Sequence, residues 1–149
     1  MKYVAWTDGS FKPSTNSGGY SAIITKDNIV VAKLYQGFTN TTNNRMELLG
    51  VIETLKYFDN PVDIIIHSDS QYVVSSINNG HVFKWIETND TTKKNLDLWN
   101  QLVKLLKIHK VELKWVKGHA DNEMNQLADL FAQHASGCMN ITEDIGKIN

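Results

Sequence analysis

The most informative part of the chain is Thr41-Thr42-Asn43-Asn44-Arg45-Met46-Glu47-Leu48. A polar loop here runs into an amphipathic helix, which we predict from about Arg45 to Phe58, before the stop signal Asp59-Asn60-Pro61. Helical spacing places Glu47 on the face of Val51, Leu55 and Phe58, the face that normally packs on a core. An ionised carboxylate on such a face is costly unless it is paired, hydrogen-bonded or bound to a metal ion.

Glu47 has two interpretations on this stretch alone. In the structural one, Asn44 is the N-cap of the helix and Glu47, three residues later, closes a capping box. In the functional one, Glu47 is a buried ligand or catalytic carboxylate. Both stay open at this point, and the other acidic residues of the chain favour the second.

The elements before and after this helix predict an α/β fold. Residues 3–8 alternate as a strand that ends at Asp8, residues 11–19 have the composition of a loop, and 20–25 and 29–35 complete an antiparallel meander. A further strand, 62–67, leads to Asp69. A strand, helix and strand in this order imply a right-handed crossover, so Asp8 and Asp69 are expected at the same edge of the sheet. Open α/β sheets bind their ligands at that edge.

The remaining sequence predicts one domain over residues 1–136 and a C-terminal tail, 137–149, that can be mobile. A short helix through Tyr72 and Ile77 is followed by 81–95, which we interpret as an exposed basic excursion. A second amphipathic helix contains Trp99 and Leu102, a fifth strand covers 111–116, and a last helix covers about 123–135.

Charge and composition narrow the function classes. The net charge is −1, but residues 84–117 hold eight lysines against four acidic residues, which suits a phosphate-facing patch beside a separate acidic centre. A solvated lysine-rich helix face explains the same charges. The lone Cys138 allows no internal disulfide. Without an apolar run of membrane length or a signal peptide, we expect a cytoplasmic, monomeric protein with no membrane or protein partner evident.

Four acidic residues come from two strand ends and two helices: Asp8, Glu47, Asp69 and Asp129. Each has a structural explanation, as a turn residue, a capping-box residue, an N-cap and an exposed helical acid respectively. Together they suggest a metal site, because like charges in a cluster need a counter-ion. Oxygen-only ligands favour Mg²⁺ or Mn²⁺. Two such ions roughly 3.5 to 4 Å apart are suited to the hydrolysis of a phosphodiester.

These residues also resemble a known family. Four stretches of this chain resemble the motif set of type 1 ribonuclease H. They are Thr7-Asp8-Gly9-Ser10, the Thr41 to Leu48 stretch, Ser68-Asp69-Ser70-Gln71-Tyr72-Val73, and Trp115-Val116-Lys117-Gly118-His119 followed by Asn125 and Ala128-Asp129. The resemblance runs from Tyr3 to about Ala135. It implies a five-stranded mixed sheet, a three-strand antiparallel meander plus two parallel strands, flanked by helices.

The resemblance implies cleavage of the RNA strand of RNA/DNA hybrids, with 3′-hydroxyl and 5′-phosphate ends. The four acids would then hold two Mg²⁺ ions, with Mn²⁺ as a substitute, Asp69 would help to orient the attacking water, and His119 would move protons or assist product release. The residues that would read 2′-hydroxyls along the minor groove are Gly9, Ser10, Asn16, Asn43, Asn44 and Gln71. Asn40 and Thr42 would contact a DNA-strand phosphate.

The chain also departs from the family pattern. The basic segment after the helix that follows Asp69 is short, although Lys84, Trp85, Lys93 and Lys94 remain as candidate hybrid contacts, and Gln126 stands where Glu is common. Two alternatives therefore stay beside the nuclease: a hybrid-binding module of the same fold with weak or no catalysis, and a related enzyme that cuts or joins DNA.

Overall fold

The computed structural model describes residues 2–117, 123–137 and 142–144 of the chain. Six strands are present in this part of the chain: β1 (Lys2–Lys12), β2 (Ser17–Lys26), β3 (Ile29–Thr39), β4 (Asp63–Ser68), β5 (Lys110–Trp115) and β6 (Thr142–Glu143). The described helices are α1 (Asn43–Lys56), α2 (Gln71–Asn78), α3 (His81–Glu87), α4 (Leu96–Ile108) and α5 (Glu123–Ser136). Among them, no helix has the length and hydropathy that a membrane crossing requires.

The strands form one mixed sheet in the order β5-β4-β1-β2-β3-β6. β1, β2 and β3 pair antiparallel, while β4 is parallel to β1 and β5 is parallel to β4. The predicted meander with two parallel strands is therefore confirmed. The sixth strand lies in the segment that we predicted as a tail, where residues 142 and 143 pair with the end of β3. Residues 138–141 and 145–149 of that segment lie outside the described residues.

Helices cover both faces of the central strands. A Cβ added at Gly18 would meet Met46 of α1, whereas one added at Gly19 would meet Ala135 and Ser136 of α5. Because neighbouring residues of a strand point to opposite faces, α1 and α5 lie on opposite sides of β2. The helix α1 ends at Lys56, before Phe58. Val51 and Leu55 are fully buried, as the periodicity predicts, but Leu48, Leu49 and Ile52 are buried as well, so α1 is covered on most sides and the predicted amphipathic pattern is wrong. This packing fixes α1 against the strand that carries Asp8.

The predicted loop 11–19 is wrong, because most of it is a hairpin. Phe11 pairs with Gly18 and Ser10 with Gly19, so only residues 13–16 form the turn. The two glycines read as loop signals, yet they are strand residues at a close contact between layers. A Cβ at Gly19 would lie 2.6 Å from the backbone nitrogen of Ser136, so the strand needs glycine there to approach α5.

The exposed excursion predicted for 81–95 is also wrong in its first half, which forms α3. Val82 is fully buried, and Trp85 lies 6.3 Å from Trp99 of α4 between ring centroids. Apolar residues at the spacing of Val82, Trp85 and Ile86 share one helix face, which packs on the core. The basic residues Lys93 and Lys94 follow in an exposed turn.

Candidate active site

Three carboxylates meet at the edge of the sheet that the crossover predicts. Asp8 belongs to β1, and Asp69 follows β4 directly, where Thr7 and Ser68 are parallel register partners. Glu47 reaches them from the first part of α1. One oxygen from each of Asp8, Glu47 and Asp69 lies within 4.8 Å of the other two. The predicted common edge for Asp8 and Asp69 is confirmed.

Glu47 is oriented by the backbone of β1. Gly9 donates its N–H to Glu47 Oε1 and also lies 2.9 Å from Asp8 Oδ1. A Cβ at Gly9 would stand 2.6 Å from the Glu47 nitrogen and 2.8 Å from its Oε1, so only glycine allows this approach. The other carboxylate oxygen, Oε2, is buried and has no hydrogen-bond partner among the described residues. Glu47 thus keeps one oxygen for a ligand.

The capping-box interpretation of Glu47 is wrong. The N-cap of α1 is Thr42, whose Oγ1 accepts from the Arg45 N–H at 3.2 Å, and the helix begins at Asn43. Glu47 is therefore beyond the position that closes a box, and its oxygen accepts from Gly9 instead. Asp69 is likewise no N-cap, since Ser70 Oγ accepts from the Val73 N–H at the start of α2. Both acids are free of these structural roles.

Asp129 lines the cleft that contains the other three acids. It is partly buried on α5, and its Oδ2 accepts from Gln133 Nε2 at 2.9 Å. The helix is held to the sheet by the Ser21 hydroxyl, which donates to the Ala128 carbonyl, and by the contact at Gly19. The position of Asp129 therefore depends on how closely α5 packs on β2.

The electrostatics of the cluster oppose full ionisation. Burial, followed by the charge of Asp69, raises the pKa of the Asp8 carboxyl from 3.8 to about 8. Burial, and then the charges of Asp8 and Asp69, raise the pKa of Glu47 well above its ordinary value. Several carboxylates held this close are stable as anions only beside a cation. The oxygen-only donor set and the spare Glu47 oxygen fit a hard divalent cation such as Mg²⁺.

The predicted substrate contacts surround the cleft to different extents. Gly9 and Asn43 line it, and the exposed Asn44 and Gln71 lie in the first turns of α1 and α2. Ser10 is on β1, next to Gly9.

Asn16 and Asn40 are held together. The Asn16 side chain donates to Asn40 Oδ1 at 3.3 Å, and the Asn40 N–H donates to the Asn16 carbonyl at 2.8 Å. Both have positive φ values, 51° and 53°. The turn 13–16 and the end of β3 therefore form one connected surface beside α1.

The predicted basic contacts are separate from the residues that line the cleft. Lys84, Lys93 and Lys94 are exposed, and Lys93 Nζ lies 5.1 Å from the centre of the half-buried Trp85 ring. They form a surface on and after α3. His119 lies outside the described residues, so its predicted role stays a prediction.

Four cleft residues were absent from the predicted site: Ser70, Asn125, Gln126 and Leu130. Asn125 is buried and lies one helical turn before Asp129, so its i, i+4 spacing was an available signal. Ser70 lines the cleft as the N-cap of α2. The exposed Gln126 and Leu130 also line it. Gln126 was noted only as a departure from the family pattern, and nothing in the local sequence distinguishes Leu130 from an ordinary surface residue.

The chain also matches known proteins. The family model for RNase H matches residues 1–137. A ribonuclease H of Caldicellulosiruptor saccharolyticus is 39% identical over 136 residues, which cover 87% of this chain and 92% of that protein. A ribonuclease H of Pseudoalteromonas translucida is 39% identical over 145 residues, 95% of this chain and 94% of the relative. A crystal structure described as LC9-RNase H1, a type 1 RNase H with the type 2 active-site motif, matches with a TM-score of 0.80 at 27% identity, covering 91% of this chain and 72% of that one.

The mixed sheet and the acidic cleft define a hydrolase of the ribonuclease H-like fold. The chain belongs to the ribonuclease H family, as the motif resemblance predicts, and is an enzyme of that family.

Proposed function

We propose that the protein is an endonuclease that hydrolyses the RNA strand of RNA/DNA hybrids with two divalent ions, leaving 3′-hydroxyl and 5′-phosphate ends. The observation that carries this proposal is the convergence of Asp8, Glu47 and Asp69, from three separate elements, within 4.8 Å of one another. With Asp129 in the same cleft, the chain offers enough carboxylate oxygens for two Mg²⁺ ions.

Some of these residues would hold the ions, and others would orient the reactants. Asp8, Glu47, Asp69 and Asp129 would hold Mg²⁺, with Mn²⁺ as a substitute. When bound, the ions supply Lewis-acid activation of water and stabilise the leaving oxygen of the phosphodiester. Gly9 keeps Glu47 oriented toward the cleft through its N–H, and Asp69 would help to orient the attacking water. His119 would carry protons or assist product release.

Substrate recognition is assigned to the surfaces beside the cleft. Asn43, Asn44 and Gln71 present amide groups, which donate and accept hydrogen bonds, as the 2′-hydroxyl of RNA does. Gly9, Ser10 and Asn16 would continue this contact along the minor groove. Asn40 and Thr42 would contact a phosphate of the DNA strand. The surface of Lys84, Trp85, Lys93 and Lys94 would contact the duplex farther away.

The test is cleavage of a labelled RNA/DNA hybrid beside RNA/RNA and DNA/DNA duplexes, with Mg²⁺ and with a chelator. We expect Mg²⁺-dependent cutting of the RNA strand of the hybrid alone, with a 5′-phosphate on the downstream product. Cutting of the DNA duplex would favour the enzyme that cuts or joins DNA. Binding of the hybrid without cutting would favour the non-catalytic binding module.

Replacement of Asp69 by Asn tests the site itself. We expect a loss of activity of at least a hundredfold with hybrid binding retained, because the side chain keeps its shape but loses its charge. Asp63→Asn is a matched control, since Asp63 lies at the other end of β4 and is 38% exposed. Full activity in Asp69→Asn would contradict the proposal. The cytoplasmic location and the monomeric state stay predictions.

A further inference from the structure

The C-terminal segment brings one buried carboxylate onto the loop before α1. Asp144 follows β6 and is 7% exposed. Its position depends on the short pairing of residues 142 and 143 with Phe38 and Thr39 of β3. Residues 40–44, which we call the substrate loop and which include the first two residues of α1, begin directly after this pairing and contain the proposed substrate contacts Asn40, Thr42, Asn43 and Asn44.

Asp144 contacts the chain before, within and after the substrate loop. Its N–H donates to the Thr39 carbonyl at 2.9 Å. Its Oδ2 accepts from the Thr41 hydroxyl at 2.8 Å and from Arg45 Nε at 2.7 Å, and its Oδ1 accepts from Arg45 NH2 at 3.0 Å. Thr41 and Arg45 are 0% and 2% exposed, so these bonds are shielded from water. One residue therefore ties both ends of the loop.

The charge of Arg45 alone does not account for these contacts. Arg45 is the only arginine of the chain, and its NH1 and NH2 also donate to Asp97 of α4 at 2.9 and 2.7 Å. This bidentate pair already neutralises the guanidinium. Asp144 also pairs with Arg45 through two hydrogen bonds, and in addition it bonds Thr39 and Thr41, which Asp97 does not contact among the described residues. The contacts to Thr39 and Thr41 act directly on the substrate loop, and they distinguish Asp144 from Asp97.

We propose that Asp144 is a positioning residue for hybrid binding, which holds the substrate loop in the conformation that contacts the nucleic acid. The inference rests on the proposed function, since the loop's role in binding comes from there. A loop that adopts the binding conformation only part of the time lowers affinity by that fraction. Asp144 thus acts on binding of the hybrid and leaves the chemical step at the carboxylates little changed.

The experiment compares Asp144→Ala with Asp97→Ala in the full chain. Each removes one of the two carboxylates on the same guanidinium, so both are expected to lower the melting temperature. Affinity for a labelled RNA/DNA hybrid is measured in chelator, and KM and kcat are measured in Mg²⁺, all well below the melting temperatures. For Asp144→Ala we expect hybrid affinity to fall and KM to rise, each about tenfold, while kcat stays within about twofold of wild type. This is the effect of a loop that adopts the binding conformation in about one-tenth of the molecules. For Asp97→Ala we expect affinity within about twofold of wild type.

Two milder variants keep the test decisive if Asp144→Ala folds poorly. Thr41→Val removes only the hydroxyl that donates to Asp144, and we expect roughly threefold weaker binding. Asp144→Asn keeps an oxygen that accepts from Thr41, so it should restore part of the affinity lost in Asp144→Ala.

Unchanged hybrid affinity in Thr41→Val and Asp144→Ala overturns the positioning role. Equal loss of affinity in Asp97→Ala and Asp144→Ala also overturns it, because the effect then follows the stability of the ion cluster. If the wild-type chain binds the hybrid without cutting it, the proposed nuclease fails while the binding comparison still decides the role of Asp144. If the wild-type chain binds no hybrid, both proposals fail.

Discussion

Substitution of Asp8 by Asn should make the metal-free protein more stable at neutral pH. The Asp8 carboxyl is 4% exposed and has a pKa near 8 in the fold, against 3.8 as its ordinary value. Between these values the folded protein binds a proton that the unfolded chain has released. The free energy of unfolding therefore falls as pH rises from about 4 to about 8. An asparagine carries no charge and removes this penalty.

The size of the effect follows from the shift. One pKa unit corresponds to about 1.36 kcal/mol, so the shift from 3.8 to about 8 sets an upper limit of about 5 kcal/mol at pH 7.5. We expect roughly 2 to 3 kcal/mol, because neighbouring acids relax and the asparagine amide is itself a buried polar group. The gain should be small near pH 4, where Asp8 is protonated in the fold.

Urea unfolding followed by circular dichroism, in chelator at pH 4.5 and pH 7.5, measures this difference. Asp27→Asn is the control, because Asp27 is exposed in the turn between β2 and β3. Added Mg²⁺ should stabilise the wild type more than Asp8→Asn, since the cation binds the ionised cluster. An Asp8→Asn protein that is no more stable than wild type at pH 7.5, or that keeps the wild-type pH dependence, would refute the electrostatic reasoning.

Two further predictions concern packing at the cleft and the basic surface. Gly9→Ala should lower the free energy of unfolding by about 2 kcal/mol and reduce cleavage activity more than tenfold. The reason is that the alanine Cβ would stand 2.6 Å from the Glu47 nitrogen. Wild-type activity in this variant would show that α1 can move without displacing Glu47. Lys93→Gln should weaken hybrid binding equally for all sequences and reduce the slope of log affinity against log salt concentration by about 1. An unchanged slope in a salt titration would show that Lys93 does not contact the hybrid.

Much of the sheet and the meeting of its acids could be predicted from the chain alone. Alternating residues before Asp8, the apolar run before Asp69 and the helix between them are local patterns. The handedness of the crossover converts these patterns into a shared edge. The apolar spacing after Glu47 predicted that it faces inward, and its side chain is 3% exposed. These features follow from short-range periodicity and one general rule of chirality.

Other features depend on partners far away in sequence, and local reasoning misread them. Gly18 and Gly19 have the composition of a loop, but they pair within β2, where the close approach of α1 and α5 leaves no room for a side chain. The hydrogen bond from Gly9 decides the orientation of Glu47, although its local spacing also suited a capping box. Weak signals in the last residues concealed Asp144, which is buried against Arg45 across 99 positions.

Residue order and periodicity are enough to place the four acids on their strands and helices and to predict the edge of the sheet that Asp8 and Asp69 share. The packing of distant elements decides how deeply Asp8 and Glu47 are buried, and therefore how strongly they resist ionisation without a cation. It also decides that Asp144 ties the substrate loop. The physical reason is that strand and helix periodicity is local, whereas desolvation, close approach and buried ion pairs arise only when distant segments pack together.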